Sequence, residues 1–122
     1  ELHEAYEVEV IDMVNLPNGK NIDKVKSSDW INNYCTRLNS KEVKLPLFVR
    51  TRQNGDKMEI KGMLGSKKVN DIFINEKIKL DDREMWPIVC DATGKIVWLP
   101  GLKKSKFDKK PEEEYDIILR YY

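Results

Sequence analysis

The sequence contains very little histidine and cysteine, the residues on which metal binding and much nucleophilic catalysis depend. Among 122 residues there is one histidine, His3, and the two cysteines, Cys35 and Cys90, form no CxxC motif. Structural zinc takes four ligands from Cys and His, and Ser-His-Asp or Cys-His catalysis needs a histidine beside the nucleophile. We therefore expect no zinc site and no catalytic residues of these types.

The two cysteines leave a choice between a disulfide and two separate thiols. A bond between Cys35 and Cys90 is one interpretation. Two small buried side chains are the interpretation we favour, because free cysteine is among the most often buried residue types. Reduced thiols are usual in cytosolic proteins, so a cytoplasmic location is expected.

Long apolar runs and nucleotide-binding motifs are also missing. No run approaches the roughly 18 apolar residues that a membrane helix requires. The chain opens with Glu-Leu-His-Glu, which is acidic where a secretory signal is basic, and it has no P-loop and no GxGxxG motif. We therefore expect no membrane contact, and a free-standing enzyme would need a site of an unrecognised kind.

Charged residues are abundant and unevenly distributed. Lys, Arg, Asp and Glu make up 35% of the chain, yet the net charge is only +1. Residues 1–40 carry four basic and seven acidic side chains, residues 41–110 carry seventeen and ten, and residues 111–122 carry one and four. One interpretation of a basic middle between acidic ends is a surface that binds an anion. The charge distribution alone supports a merely solvated surface equally well.

Alternation and turn residues predict a single domain, mostly of β structure, with two short helices. Ser66 has the side chain of an N-cap for a helix that begins near Lys67, buries Val69, Ile72 and Phe73, and ends near residue 75. Residues 103–110 are predicted to be a flexible basic stretch. Strands are expected at 5–11, 21–25, 45–52, 57–61, 88–90, 96–99 and 115–122, turns at 16–19, 53–56 and 93–94, and a second helix at 80–86.

The GMLG loop at 62–65 allows two interpretations. A GxxG loop beside lysines resembles the backbone-gripping loop of KH domains, but that loop joins two helices and this one follows a strand-like segment. We favour a turn in which both glycines take positive φ. The two are compatible, because exposed N–H groups beside Lys61, Lys67 and Lys68 would form a phosphate-binding nest.

Arg50 and Arg52 lie two residues apart on a predicted strand and therefore share a face. One interpretation is that they are edge charges that deter aggregation. The other is a paired guanidinium surface for phosphate, which suits the planar donor fork of arginine.

An ordered series of short signatures extends across residues 45–107. It consists of LPLFVRTR at 45–52, GD at 55–56, glycines at 62 and 65, KKV at 67–69, FI at 73–74, KI at 77–78, Arg83, Pro87, and GKIVWLPG at 94–101. This series resembles the C-terminal domain of bacterial tRNA(Ile)-lysidine synthetase, and the whole series is far more specific than any one member. Residues 1–44 match only loosely.

The resemblance implies an α+β fold, a small β-sandwich-like domain with two short helices that also occurs in the β subunit of phenylalanyl-tRNA synthetase. Residues 45–122 would form the tRNA-binding domain, and residues 1–44 would be an N-terminal strand extension packed on the same domain. The family ligates lysine to the wobble cytidine of an isoleucine tRNA with ATP and Mg, through a catalytic domain with an SGGxDS-type loop. That loop does not occur here, so the chain resembles a fragment with no active site and no cofactor of its own.

In this family the C-terminal domain contacts the acceptor stem of tRNA(Ile). An A-form stem is recognised mainly through its shape, phosphates and 2′-hydroxyls, which calls for dispersed Arg and Lys side chains. The predicted backbone contacts are Arg50, Arg52, Lys61, Lys67, Lys68 and Arg83. The alternative function is a protein-interaction or dimerisation module without RNA contact, in which an exposed edge strand at 115–122 pairs with a second copy.

Overall fold

The computed structural model describes residues 6–8, 14–26 and 32–122, and that part of the chain forms eleven short strands and two helices. The helices are α1 (Val69–Asn75) and α2 (Leu80–Met85). The strands are β1 (Tyr6–Val8), β2 (Val14–Asn15), β3 (Asn21–Lys24), β4 (Cys35–Leu38), β5 (Leu47–Arg50), β6 (Lys57–Met58), β7 (Lys67–Lys68), β8 (Ile88–Cys90), β9 (Ile96–Leu99), β10 (Lys103–Lys104) and β11 (Ile117–Tyr121).

A five-stranded antiparallel sheet has the order β1-β5-β8-β9-β10. In β5 the alternation predicted from the sequence is confirmed, since Leu47 and Val49 are buried while Phe48 and Arg50 are partly exposed. Strands β8 and β9 are buried along their whole length, as is typical of strands covered on both faces. The β8–β9 hairpin, also predicted, is confirmed.

A four-stranded antiparallel sheet has the order β2-β3-β11-β4. Strand β11 lies in its interior, where Leu119 pairs with Lys24 on one side and with Thr36 on the other. The strand predicted at 115–122 is therefore present, but the prediction that it forms an exposed edge is wrong. Both of its hydrogen-bonding edges are already occupied within the chain.

Two hydrophobic cores lie on opposite faces of the five-stranded sheet. The first fills the space between the two sheets around the fully buried side chains of Trp98 and Tyr121. The second lies under the β6–β7 ribbon and α1, which contribute Met58, Ile72 and Phe73. This arrangement confirms the predicted α+β fold, a small sandwich with two short helices.

Helix α1 begins two residues later than predicted. Residues 67–68 form β7 and pair with β6, and Lys68 rather than Ser66 occupies the N-cap position. The N–H of Val69 donates to the carbonyl of Asp56 at 2.9 Å, which continues the strand pairing up to the helix. The predicted Ser66 cap is wrong because this pairing holds the two lysines in an extended conformation.

The basic stretch at 103–110 is held in place by strand pairing at 103–105 and by two buried residues, so the prediction that it is flexible is wrong. Strand β10 pairs with the end of β9, and Ile60 forms an isolated bridge with Ser105, which is fully buried. Asp108 is also buried and accepts a hydrogen bond from the hydroxyl of Thr36 at 2.8 Å. The prediction failed because it considered only the charges of the stretch.

Several predictions lie wholly or partly outside the described residues. Of the strand predicted at 5–11 the structure describes β1, and neither His3 nor the segment 27–31 is included. Strand β1 pairs with β5, and β3 pairs with β11, so strands from residues 1–44 take part in both sheets. Cys35 and Cys90 are both buried and free.

Candidate nucleic-acid interface

Arg50 lies at the end of β5 and holds the following turn closed. Its guanidinium donates to both carboxylate oxygens of Asp56, at 2.9 and 3.0 Å, and Asp56 also accepts the N–H of Gln53 at 2.7 Å. The two side chains of the pair are only 12% and 10% exposed. Burial opposes the charge on Arg50, but the hydrogen bonds to Asp56 outweigh it and raise the pKa of Arg50. The donors of Arg50 are thus used inside the protein.

Arg52 follows two residues later and is more open to solvent. Its Nη2 lies 2.5 Å from Oε1 of Glu84 on α2, and its Nη1 lies 3.3 Å from Oδ1 of Asn70 on α1. The side chains of Arg52 and Glu84 are 29% and 64% exposed. Exposed ion pairs contribute little and are screened by salt, so a phosphate can replace Glu84 as the partner of Arg52.

The β6–β7 ribbon places two lysines directly opposite each other. Its register pairs Lys57 with Lys68, and both side chains are exposed. Neither of them forms an ion pair with any residue that the structure describes. Like charges at opposed positions destabilise a strand pair, so an anion bound between the two amines would relieve a repulsion. Lys67 pairs with the buried Met58 and therefore projects to the other face of the ribbon.

The turn at 53–56 separates two shallow clefts that have basic side chains at their margins. The smaller cleft has a volume of about 260 Å³ and is lined by this turn together with Arg52 and Lys68. The larger cleft has a volume of about 500 Å³ and is lined by Gly55 and Asp56 of the turn together with Lys57 and Lys95. We call the four cations around the turn the basic rim. They are Arg52, Lys57, Lys68 and Lys95.

The GMLG loop at 62–65 is a turn, the interpretation favoured from the sequence. Gly62 and Gly65 have φ values of +79° and +72°, in the left-handed region that favours glycine. The loop leads from the bridge at Ile60 to β7, whereas the loop of a KH domain joins two helices. Gly65 also lines the larger cleft beside the basic rim.

Lys61 is engaged by a buried carboxylate. Its Nζ lies 2.5 Å from Oδ2 of Asp108, whose side chain is only 2% exposed. Asp108 also accepts hydrogen bonds from the hydroxyl of Thr36 at 2.8 Å and from the N–H of Arg37 at 3.2 Å. Removal of Lys61 would leave a buried charge without its counterion, which is strongly unfavourable. Lys61 therefore stabilises the contact between this loop and β4.

Arg83 is partly buried in α2 and donates its Nε–H to the carbonyl of Ile78 at 2.7 Å. This contact joins α2 to the short connection that precedes it.

The structure thus brings together two of the six predicted contact residues, Arg52 and Lys68. Three others, Arg50, Lys61 and Arg83, have donors that are occupied by acceptors of the protein, and Lys67 projects from the other face of the ribbon. Lys57 and Lys95 were not among the contacts predicted from the sequence. Lys57 would have been found only from the register between 57 and 68, since the two residues are eleven positions apart.

Cys90 and possible metal ligands are candidate sites of other chemistry. Burial raises the pKa of the Cys90 thiol, which keeps it protonated at neutral pH. In the segments 6–8, 14–26 and 32–122, no group of three or more His, Cys, Asp or Glu side chains is placed to hold a metal ion. Neither α1 nor α2 has the length that crossing a bilayer requires.

Comparison with protein families matches residues 47–119 to the TilS substrate C-terminal domain. The tRNA(Ile)-lysidine synthase of Bacillus licheniformis is 57% identical over 82 residues, which cover 66% of this chain and 17% of that protein. The tRNA(Ile)-lysidine synthase of Bacillus subtilis is 46% identical over 110 residues, which cover 87% of this chain and 23% of that protein. The chain thus spans about a fifth of the length of these curated relatives.

A solved structure gives the same assignment. A crystal structure of a TilS C-terminal domain matches with a TM-score of 0.88 and 40% identity, over 98% of this chain and 95% of that one. An N-terminal fragment of the phenylalanyl-tRNA synthetase β subunit from Pyrococcus horikoshii matches with a TM-score of 0.54 and 15% identity, over 71% of this chain and 27% of that one. The second match concerns the fold alone, and it agrees with the relationship expected from the sequence. The family match and the relatives together show that the chain belongs to the TilS substrate C-terminal domain family.

Proposed function

We propose that this chain is the part of a tRNA(Ile)-lysidine synthase that binds the acceptor stem of tRNA(Ile), and that it does so through the phosphate backbone. The observation that carries the proposal is the opposed pair Lys57 and Lys68, two exposed amines without an ion pair among the described residues. Arg52 lies on the same cleft as Lys68, and its ionic partner Glu84 is mostly exposed. A surface that carries Arg52, Lys57 and Lys68 suits a polyanion with regularly spaced charges.

Phosphate recognition fits the chemistry of these groups. A double-stranded stem presents phosphates and 2′-hydroxyls along a wide minor groove, and proteins that bind it use shape and charge more than base identity. The glycine turns at 55 and 65 bring backbone close to the clefts, where N–H groups add to the lysines. Contacts of this kind position a tRNA but carry no sequence information.

The six residues predicted from the sequence have different parts in this proposal. Lys68 and Arg52 contact phosphate directly, together with Lys57. Lys67, which projects from the opposite face of the ribbon, stays a predicted contact. Arg50 and Lys61 act by holding the turn and the loop in place. Arg83 stays a predicted contact.

The rest of the reaction belongs to the parent enzyme. In the proposal the parent ligates lysine to the wobble cytidine with ATP and Mg, in the cytoplasm, at an active site outside this chain. This chain holds the acceptor stem while the anticodon is modified elsewhere, and it needs no cofactor of its own.

The test is the salt dependence of binding to a hairpin RNA that has the sequence of the tRNA(Ile) acceptor stem. Fluorescence anisotropy at about 50 and 200 mM salt gives the slope of log affinity against log salt. The double variant Lys57→Ala with Lys68→Ala should bind more weakly, with a slope that is less steep by about 0.9 for each phosphate that the variant no longer neutralises.

Lys110→Ala is the matched control, because Lys110 is an exposed lysine in the segment beside β4, where the N–H of Lys109 donates to Arg37. Its affinity and slope should equal those of the unmodified chain. An unmodified chain that fails to bind the hairpin at the lower salt concentration would contradict the proposal and favour the protein-interaction alternative.

A further inference from the structure

The tip of the GMLG loop exposes two large apolar side chains. Leu64 is fully exposed, with a relative accessibility of 102%, and Met63 is 55% exposed. The loop is held at its base, because the N–H of Met63 donates to Ile60 at 3.1 Å and the N–H of Lys61 donates to Lys104 at 3.1 Å. The apolar tip therefore projects from a fixed position on the ribbon.

The charges around this loop favour a polyanionic partner over a protein. Lys57, Lys67 and Lys68 on the adjoining ribbon form no ion pair with the residues described here. Two carboxylates of this region are already paired, Glu59 with Lys106 at 2.8 Å and Asp108 with Lys61. The centres of protein interfaces are depleted in lysine, whereas lysine beside an apolar tip suits a groove bordered by phosphates.

We propose that the loop tip enters the minor groove of the RNA stem, with Leu64 against the ribose and base edges and with Lys57 and Lys68 on the bordering phosphates. The A-form minor groove is wide and shallow and admits a short loop, whereas the major groove is too deep and narrow. Ser66, which is exposed at the end of the loop, can exchange hydrogen bonds with a 2′-hydroxyl. This inference rests on the proposed function and adds to it the groove and the element that enters it.

The experiment compares Leu64→Ala with Ile74→Ala, an exposed aliphatic residue on α1 that is 52% accessible. With the acceptor-stem hairpin as probe, Leu64→Ala should weaken binding about ten-fold, because apolar surface that is covered in the complex is removed. Its salt slope should stay that of the unmodified chain, since Leu64 contacts no phosphate. Ile74→Ala should leave both quantities unchanged.

A photoreactive benzoylphenylalanine at position 64 identifies what covers the tip. Crosslinking to the hairpin RNA supports the inference, whereas crosslinking to a second copy of the chain overturns it. If the hairpin binds with the expected salt slope and Leu64→Ala has no effect, the loop assignment is wrong and the phosphate-binding function stands. If the unmodified chain binds no RNA, both are wrong.

Discussion

Arg50 and Arg52 lie two residues apart, at and just after the end of β5, and have different surroundings. Arg50 forms a bidentate pair with Asp56, and the two side chains are almost fully covered. Arg52 reaches outward to Glu84, a partner that is mostly exposed. The two arginines therefore have different roles. Arg50 stabilises the turn, and Arg52 is available to a ligand.

Stability measurements should separate these two arginines. Arg50→Ala should lower the free energy of unfolding by about 2–4 kcal/mol, because it leaves Asp56 as a poorly solvated charge without its partner. Arg52→Ala should cost less than about 1 kcal/mol, as is usual for exposed pairs. Urea unfolding at neutral pH measures both, and equal losses would mean that the Arg50–Asp56 pair does not hold the turn.

The sequence indicated which basic side chains could bind phosphate, but not which of them are already paired with acceptors of the protein. Alternation alone predicted a shared face for Arg50 and Arg52, although β5 ends at Arg50. The capture of Arg50 by Asp56 depends on a turn that reverses the chain within a few residues, and the capture of Lys61 by Asp108 joins positions 47 apart. Pairings of this kind depend on tertiary structure, which local patterns do not specify.

The β8–β9 hairpin is organised by one buried carboxylate. Asp91 is 2% exposed and accepts hydrogen bonds from the hydroxyl of Thr93 at 2.6 Å and from the N–H groups of Thr93, Lys95 and Lys44 at 3.0 to 3.1 Å. Burial alone would raise the pKa of Asp91. The hydrogen bonds, led by that of the Thr93 side chain, outweigh burial and lower the pKa below the ordinary value of 3.8.

Asp91→Asn should therefore change how stability depends on pH. A carboxylate whose pKa is lower in the folded than in the unfolded chain stabilises the fold above pH 3.8, and this stabilisation is lost as the pH falls through the folded value. The variant should unfold more readily at pH 7 and lose less stability between about pH 5 and pH 3. Urea unfolding across this range is the measurement, and parallel curves for the two proteins would contradict the role given to Asp91.

Elements with a strong periodic pattern were predicted well, and those that depend on pairing were not. Alternation located β5 and the β8–β9 hairpin, and the apolar spacing of Val69, Ile72 and Phe73 located α1. The start of α1 was displaced because the pairing of β7 with β6 determines the backbone there. Strand β10 was missed because a lysine-rich stretch has no apolar alternation, although its neighbour Ser105 is fully buried.

The molecule as a whole joins its early and late segments within the same sheets. Strand β1 forms one edge of the five-stranded sheet, and β2, β3 and β4 supply three of the four strands in the other sheet. Ile22 and Leu38, which come from those early strands, lie in the same core as Trp98. The described residues before 45 and those after it thus share one hydrophobic core, although the sequence resemblance was concentrated in the later part.

A chain restricted to residues 45–122 should accordingly fail to fold. Without β3 and β4 the last strand has no partner on either side, and the first core loses one of its two layers. Urea unfolding monitored by circular dichroism should show one cooperative transition for the full chain and none for the shorter one. A native-like transition in the shorter chain would show that the two parts are separable.

The interior position of β11 also affects how the nascent chain matures on the ribosome. The strands of the four-stranded sheet are β2, β3, β4 and β11, and the last of these ends at Tyr121. While the ribosome translates the codons between β4 and β11, β3 and β4 have no central strand to join them, and their open edges can pair with other polypeptides. Chaperone demand is therefore expected to stay high until β11 has been synthesised, and a stop codon between β4 and β11 should leave the four-stranded sheet without its central strand.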